Sequence, residues 1–127
     1  MILDIAAAIL SAPDGRTLLV RKRGAGAFMQ AGGKIEPGED PRAALCRELA
    51  EELALHIAPD MPAYVGRFEA PAANEPGYTV SAEIYRIALT ETALHRAAEI
   101  AEIAWVDPRA PSLPLAPLTR DHILPLA

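Results

Sequence analysis

Hydrophobic positions along the chain come in short runs separated by turn residues, and the period changes from two to about 3.6 near residue 40. "ILDIAAAIL" (2–10) and "DGRTLLVRKR" (14–23) read as two strands. Asp14 and Gly15 between them tolerate positive φ and mark a hairpin. "GAGAFMQAGG" (24–33) is expected to be a loop, because glycine at this density loses too much backbone entropy in a regular element. Asp40 is a favoured N-cap and Pro41 suits the first helical position, so a helix is expected from there through Leu53. "AYVGRFEA", "YTVSAEIYRIAL" and "EIAEIAWVDP" read as further strands, with "PAANEPG" as a loop. "LAPLTRDHILPL" predicts a terminal helix with Thr119 as its cap. With no repeat or linker, the expectation is one mixed α/β (α+β) domain spanning 1–127.

The central helix carries an acidic face. At 100° per residue with Glu48 at zero, Glu52 lies near roughly +40° and Glu51 near roughly −60°. Leu45, Leu49 and Leu53 lie between roughly +60° and +140°, so an apolar face adjoins the acidic one. Glu48 and Glu52 form a like-charged i, i+4 pair that costs about 0.2–0.5 kcal/mol in an isolated helix. Only Arg47 stands near enough to offset the charge. A hard divalent cation such as Mg²⁺ would relieve three such carboxylates and keep waters that substrate phosphates can replace. A solvated acidic helix face is the competing reading of these residues.

Composition narrows the partners. Hydrophobic residues make up 51% of the chain, enough for a core, and net charge is −5 with a pI of about 5.1. A nucleic-acid polymer binder would ordinarily be basic. No apolar run reaches the roughly 20 residues of a membrane helix, so no membrane partner is expected. The single cysteine, Cys46, allows no internal disulfide and fits a reducing, cytoplasmic setting. Its place on the helix, toward the apolar side, predicts a buried small hydrophobe.

Upstream of the acidic face the spacing becomes specific. Gly33 is followed by five residues, Glu39, seven residues, then Arg47, Glu48, Leu49, Glu51, Glu52 and Leu55. This resembles the Nudix box, G-x5-E-x7-R-E-U-x-E-E-x-G-U with U aliphatic, over 23 of the 127 residues. "GGKIEPGEDP" and "REL" look similar to MutT-type members. Ala54 stands where the box has glycine; a left-handed alanine there costs roughly 1–2 kcal/mol. The resemblance implies a Nudix-type α/β/α sandwich with a mixed sheet. It implies hydrolysis of a phosphoanhydride in a small-molecule nucleotide, with Mg²⁺ or Mn²⁺ held by Glu48, Glu51, Glu52 and the carbonyl of Gly32. Arg47 would orient the glutamates and Glu39 would brace Arg47. Either Glu52 or Glu48 would deprotonate the attacking water. The MutT likeness favours a nucleoside triphosphate, cleaved to monophosphate and pyrophosphate. ADP-ribose or another nucleoside diphosphate sugar is the alternative substrate, and a non-catalytic nucleotide sensor is a further one. Relatives are monomers or homodimers, and both remain open here.

Other candidates lie near the box. Arg23 is expected to meet substrate phosphates, since it shares a strand face with Arg21 and lies closer to the glycine-rich stretch. Phe28 and Gln30 precede "AGG", which lines the base or X-group pocket in similar proteins; Gln30 is suited to hydrogen-bond a base edge. Glu75, in the loop "AANEPG", is a candidate additional base or ligand, and Asn74 a candidate base reader. His56, His95 and His122 have no metal-ligand spacing, and Trp105 reads as core or pocket wall.

Overall fold

A computed structural model describes residues 1–90 and 94–127. Strands β1 (Ile2–Ser11), β2 (Thr17–Lys22) and β3 (Ala31–Lys34) are followed by helix α1 (Pro41–Leu53). Strands β4 (Ala63–Pro71), β5 (Thr79–Ala88) and β6 (Ile100–Val106) complete one mixed sheet among the described residues, in the order β4-β5-β1-β2-β6. β1 pairs in parallel with β5 along its whole length, Ile2↔Thr79 to Ser11↔Ala88. Its other edge is shared: Ser11 meets Thr17 of β2, while Ile5–Ala8 pair antiparallel with β3. Gly15 adopts φ 89° in the turn after β1, as the Asp-Gly pair anticipates.

β1 is covered on both sides, which explains its run of small apolar residues. Ala6, Ala8 and Leu10 pack toward Ala44, Leu45, Leu49 and Leu53 of α1. Ala7 and Ile9 face the other way and join Leu118 and Ile123. The result is a mixed sheet between α1 and a short C-terminal helical segment.

Two local expectations need correction. The stretch 24–33 is not all loop: Ala31–Lys34 form β3, and Met29 bridges Val20. Glycine serves close approach here. Gly32 sits at φ 150°, and a Cβ there would lie 2.1 Å from the Ala6 carbonyl oxygen. The C-terminal segment is not a plain α-helix capped by Thr119. Thr119–Ile123 wind as a π-helical turn that runs into a 3-10 turn, Leu124–Leu126. Pro125, without an N–H, cannot extend an α-helix. Thr119 lies inside the segment, fully buried.

Candidate functional site

The start of α1 is set locally. Asp40 accepts a hydrogen bond from the Ala43 N–H at 3.3 Å, and Pro41 occupies the first turn. The end is set by Ala54, which takes the left-handed conformation (φ 54°, ψ 30°) and donates to the Ala50 carbonyl; the Leu55 N–H reaches Leu49. Between these caps α1 lies against β3, which brings the helix carboxylates to the two glycines.

Arg47 is the hub. Its guanidinium donates two hydrogen bonds to Glu39, each 2.9 Å, in the fork geometry that suits a carboxylate. It donates a third at 2.9 Å to Glu48 and a fourth at 3.1 Å to the Lys34 carbonyl, tying α1 to the end of β3. The Arg47 hydrogen bonds, with help from the Glu36 N–H, hold the Glu39 carboxyl down at about 2. Glu39 and Glu48 in turn keep the guanidinium charged. Glu48 is thereby steered onto Gly33: a Cβ at Gly33 would lie 2.4–2.7 Å from the Glu48 carboxyl atoms.

Glu52 is different in kind. It is 2% exposed, accepts a hydrogen bond from the Gly32 N–H at 3.1 Å, and lies 3.3 Å from Lys22 Nζ. Burial pushes its carboxyl up to about 7; Lys22 and the Gly32 N–H pull it down, and Glu48 adds to the rise. Glu51 is exposed and lies 3.7 Å from Arg47 Nη1. Among the described residues, no three His, Cys, Asp or Glu side chains are already gathered closely enough to hold a metal ion. Glu48 and Glu52 flank the diglycine strand as oxygen donors, while Glu51 stands at the rim.

A cavity of about 180 Å³ opens beside these residues. Lys22, Lys34, Gly32 and Gly33 line its charged end. Ile5, Ala7, Met29, Gln30 and Val80 line the other end, and they also border a smaller apolar cavity of about 70 Å³ that reaches Leu118 and Thr119. Asn74 and Glu75 form part of the wall, and Glu75 lies 4.0 Å from Lys34 Nζ.

A model of the NUDIX domain matches residues 1–127. The chain belongs to the Nudix family. Solved structures similar to this Nudix domain include a MutT NUDIX hydrolase from Burkholderia pseudomallei, at 22% identity and TM-score 0.80, covering 94% of each chain. The dihydroneopterin triphosphate pyrophosphohydrolase of E. coli is 19% identical with TM-score 0.70, covering 84% of this chain and 81% of its own. A UDP-X diphosphatase is 19% identical with TM-score 0.73, covering 97% of this chain and 58% of its own. At these identities the likeness carries the fold, and the fold alone does not choose a substrate. No curated protein matches the sequence. As a Nudix hydrolase, the chain is an enzyme that acts on phosphoanhydrides of nucleoside diphosphate derivatives.

Several residues singled out in the sequence stand apart from this cavity. Arg23 is exposed, and its guanidinium donates to the Ala98 carbonyl; Lys22 is the cation that reaches Glu52. Lys22 follows Leu18 and Val20 at the strand period of two, and those two face α1, so alternation could have selected it. Phe28 is buried and does not border either cavity; its backbone pairs with Pro114 and Ala116. Cys46 is half-buried rather than buried, since it lies off the centre of the apolar stripe. Trp105 packs against the core on the α1 side. No helix among the described residues is long and apolar enough to cross a membrane.

Proposed function

We propose that this Nudix domain is a divalent-metal-dependent pyrophosphohydrolase that cleaves a nucleoside triphosphate to the monophosphate and pyrophosphate. The observation that carries the reading is a buried carboxylate, Glu52, braced between Lys22 and the Gly32 N–H, two residues that line a cavity with both charged and apolar walls. A triphosphate nucleotide has the same polarity: phosphates at one end, a flat ring at the other.

The donor set fits Mg²⁺ or Mn²⁺. Glu48, Glu52 and the Gly32 carbonyl offer hard oxygen ligands, with Glu51 at the rim, and no sulfur or imidazole competes among them. Gly33 leaves the space that the Glu48 carboxyl occupies. When bound, such an ion neutralises phosphate charge and lowers the pKa of water. The chain's own residues do the rest. Arg47, gripped by Glu39, fixes Glu48 against the diglycine strand. Lys22 and Lys34 draw the polyphosphate into the cavity. Glu52, whose carboxyl lies near neutrality, is suited to take the proton of the attacking water. Glu75, which lines the same cavity 4.0 Å from Lys34 Nζ, is the candidate second acceptor.

A substrate panel with Mg²⁺ and with Mn²⁺, identifying both products, tests this. Inorganic pyrophosphate and a nucleoside monophosphate support it. Ribose phosphate plus AMP from ADP-ribose, with triphosphates untouched, would move the enzyme to diphosphate sugars. Ligand binding without turnover across the panel would overturn the assignment.

A further inference from the structure

β4 is the outermost strand on its side of the sheet, and among the described residues its outer edge pairs with no other strand. The hydrogen bonds at the end of the β4–β5 ladder tell which backbone groups of β4 point outward. The Ala72 N–H donates to the Tyr78 carbonyl, one step beyond the Pro71↔Thr79 pair. The Thr79 N–H turns the other way and donates to the Met1 carbonyl. Bonded and non-bonded pairs alternate in an antiparallel ladder, so Phe68 and Ala70 direct their backbone groups to β5. Arg67 and Glu69 then present N–H and C=O to the outside. A register shift between Tyr64 and Gly66 ends the regular edge on one side. Pro71, with no N–H, ends it on the other. Two charges of opposite sign stand on this edge. Glu69 is exposed and has no ion-pair partner among the described residues. The Arg67 side chain is 60% exposed; its Nε–H donates to Ser81 Oγ at 2.8 Å, while Asp4 and Glu83 stand farther off at 3.6 and 3.7 Å.

We propose that the β4 edge is a homodimer interface, onto which a second copy of this chain adds its own β4, antiparallel, about a two-fold axis at Phe68. The proposal does not depend on the substrate. With Phe68 opposite the partner's Phe68, Arg67 faces the partner's Glu69, and Glu69 faces the partner's Arg67. These are the residues whose backbone groups point outward, so each charge pair is also a pair that exchanges N–H···O=C bonds. Phe68 lies between them as a non-bonded pair, the kind in which side chains approach closest. It projects to the opposite face, where it stacks beside His122 with ring centroids 6.1 Å apart. The charges select this register. An axis at Arg67 or at Glu69 would set like charges directly opposite each other, which is destabilising. An axis at Ala70 would set Glu69 opposite a proline that has no N–H to give. The paired segment is short, so the dimer is expected to be weak. Closed two-fold pairing also hides an edge that would otherwise template open-ended association. None of Arg67, Phe68 and Glu69 lines either cavity of the catalytic site, so the interface leaves that site accessible.

Sedimentation velocity over a concentration series tests this. The wild type is expected to pass from monomer to dimer between about 1 μM and about 1 mM. Glu69→Arg sets arginine opposite arginine, and Arg67→Glu sets glutamate opposite glutamate; each is expected to weaken the dimer at least about tenfold. Exchanging both, Arg67→Glu with Glu69→Arg, is expected to restore it. Mixing the two single variants is expected to give a heterodimer, because every cross-strand charge pair is then opposite in sign. Glu69→Pro removes an outward N–H and leaves the ladder to β5 whole, so it is expected to be a monomer that melts within a few degrees of the wild type. A wild type that stays monomeric up to about 1 mM overturns the proposal. So does a dimer that none of these variants weakens, which would place the contact elsewhere on the molecule. Open-ended oligomers in place of dimers would mean that β4 meets β6 of the next copy, and they overturn it as well. If Arg67→Glu fails to fold, Glu69→Arg against Glu69→Asp, which keeps the charge, decides: equal dissociation constants overturn the register, and a loss confined to Glu69→Arg upholds it.

Discussion

Replacing Glu52 with glutamine separates two properties of this side chain, its chemistry and its burden on the fold. Burial raises its carboxyl from 4.5 to about 7, against the opposing pull of Lys22 and the Gly32 N–H. At about 1.4 kcal/mol per tenfold, that rise corresponds to roughly 3 kcal/mol. The sign is opposite to that of an ordinary salt-bridged acid. Between pH 4.5 and 7 the native state binds more protons than the unfolded chain, so stability is highest below 4.5 and declines as pH rises through 7. Glutamine keeps the oxygen that the Gly32 N–H needs and never ionises. Half-exposed Lys22 turns to water when its partner is neutral. The metal-free Glu52→Gln protein is therefore expected to gain roughly 1–3 kcal/mol at pH 8 and nothing at pH 4.5, with a flatter stability profile between. Its Mg²⁺-dependent turnover is expected to fall by at least about a hundredfold, the scale of a lost proton acceptor. Urea unfolding in chelator at several pH values, beside steady-state kinetics, reads both. A variant that loses stability at pH 8, or keeps full turnover while folded, would refute the reasoning.

Gly33→Ala sets a Cβ 2.4 Å from the Glu48 carboxyl carbon, which a flexible side-chain end can vacate; melting is expected to stay within a few degrees while turnover falls at least about tenfold. Ala54→Gly relieves a left-handed alanine at an exposed helix end and is expected to add about 1 kcal/mol, read as a rise of several degrees in melting temperature with unchanged kcat/KM. Glu39→Gln removes the carboxylate that clamps Arg47 and is expected to cost about 10–100-fold in kcat/KM. The Glu39 carboxyl is depressed to about 2, so its stabilisation is present above pH 4.5 and lost as pH falls through 2. The melting difference between wild type and Glu39→Gln should accordingly vanish in strong acid.

The strands and α1 were legible because their signals are local. Period-two alternation, the Asp14-Gly15 turn and the Asp40-Pro41 start sit within a few residues of what they determine. Glu52's burial was foreshadowed by its place on the helical wheel, next to Leu45. β3 was hidden because glycine content argues for a loop, and only contact with Ala6 and Ala7 explains why glycine is needed in a strand. Nearness to the glycine-rich stretch points to Arg23, whereas alternation with Leu18 and Val20 points to Lys22, the cation that reaches Glu52. The Gln30–Thr119 hydrogen bond joins positions 89 residues apart, and no local rule reports such a pair. Thr119 read as a cap because threonine favours helix starts, while the π-helical winding places it inside the turn.

The central claim is that Glu48 and Glu52, set against the diglycine strand, hold the divalent ion that makes a triphosphate cleavable. Mn²⁺ binding followed by electron paramagnetic resonance, in the wild type and in Glu48→Gln, tests it most directly. The account predicts saturable Mn²⁺ binding that tightens when a non-hydrolysable nucleoside triphosphate is added and weakens at least about tenfold in Glu48→Gln. Equal Mn²⁺ affinity in the folded variant, with or without nucleotide, would contradict it.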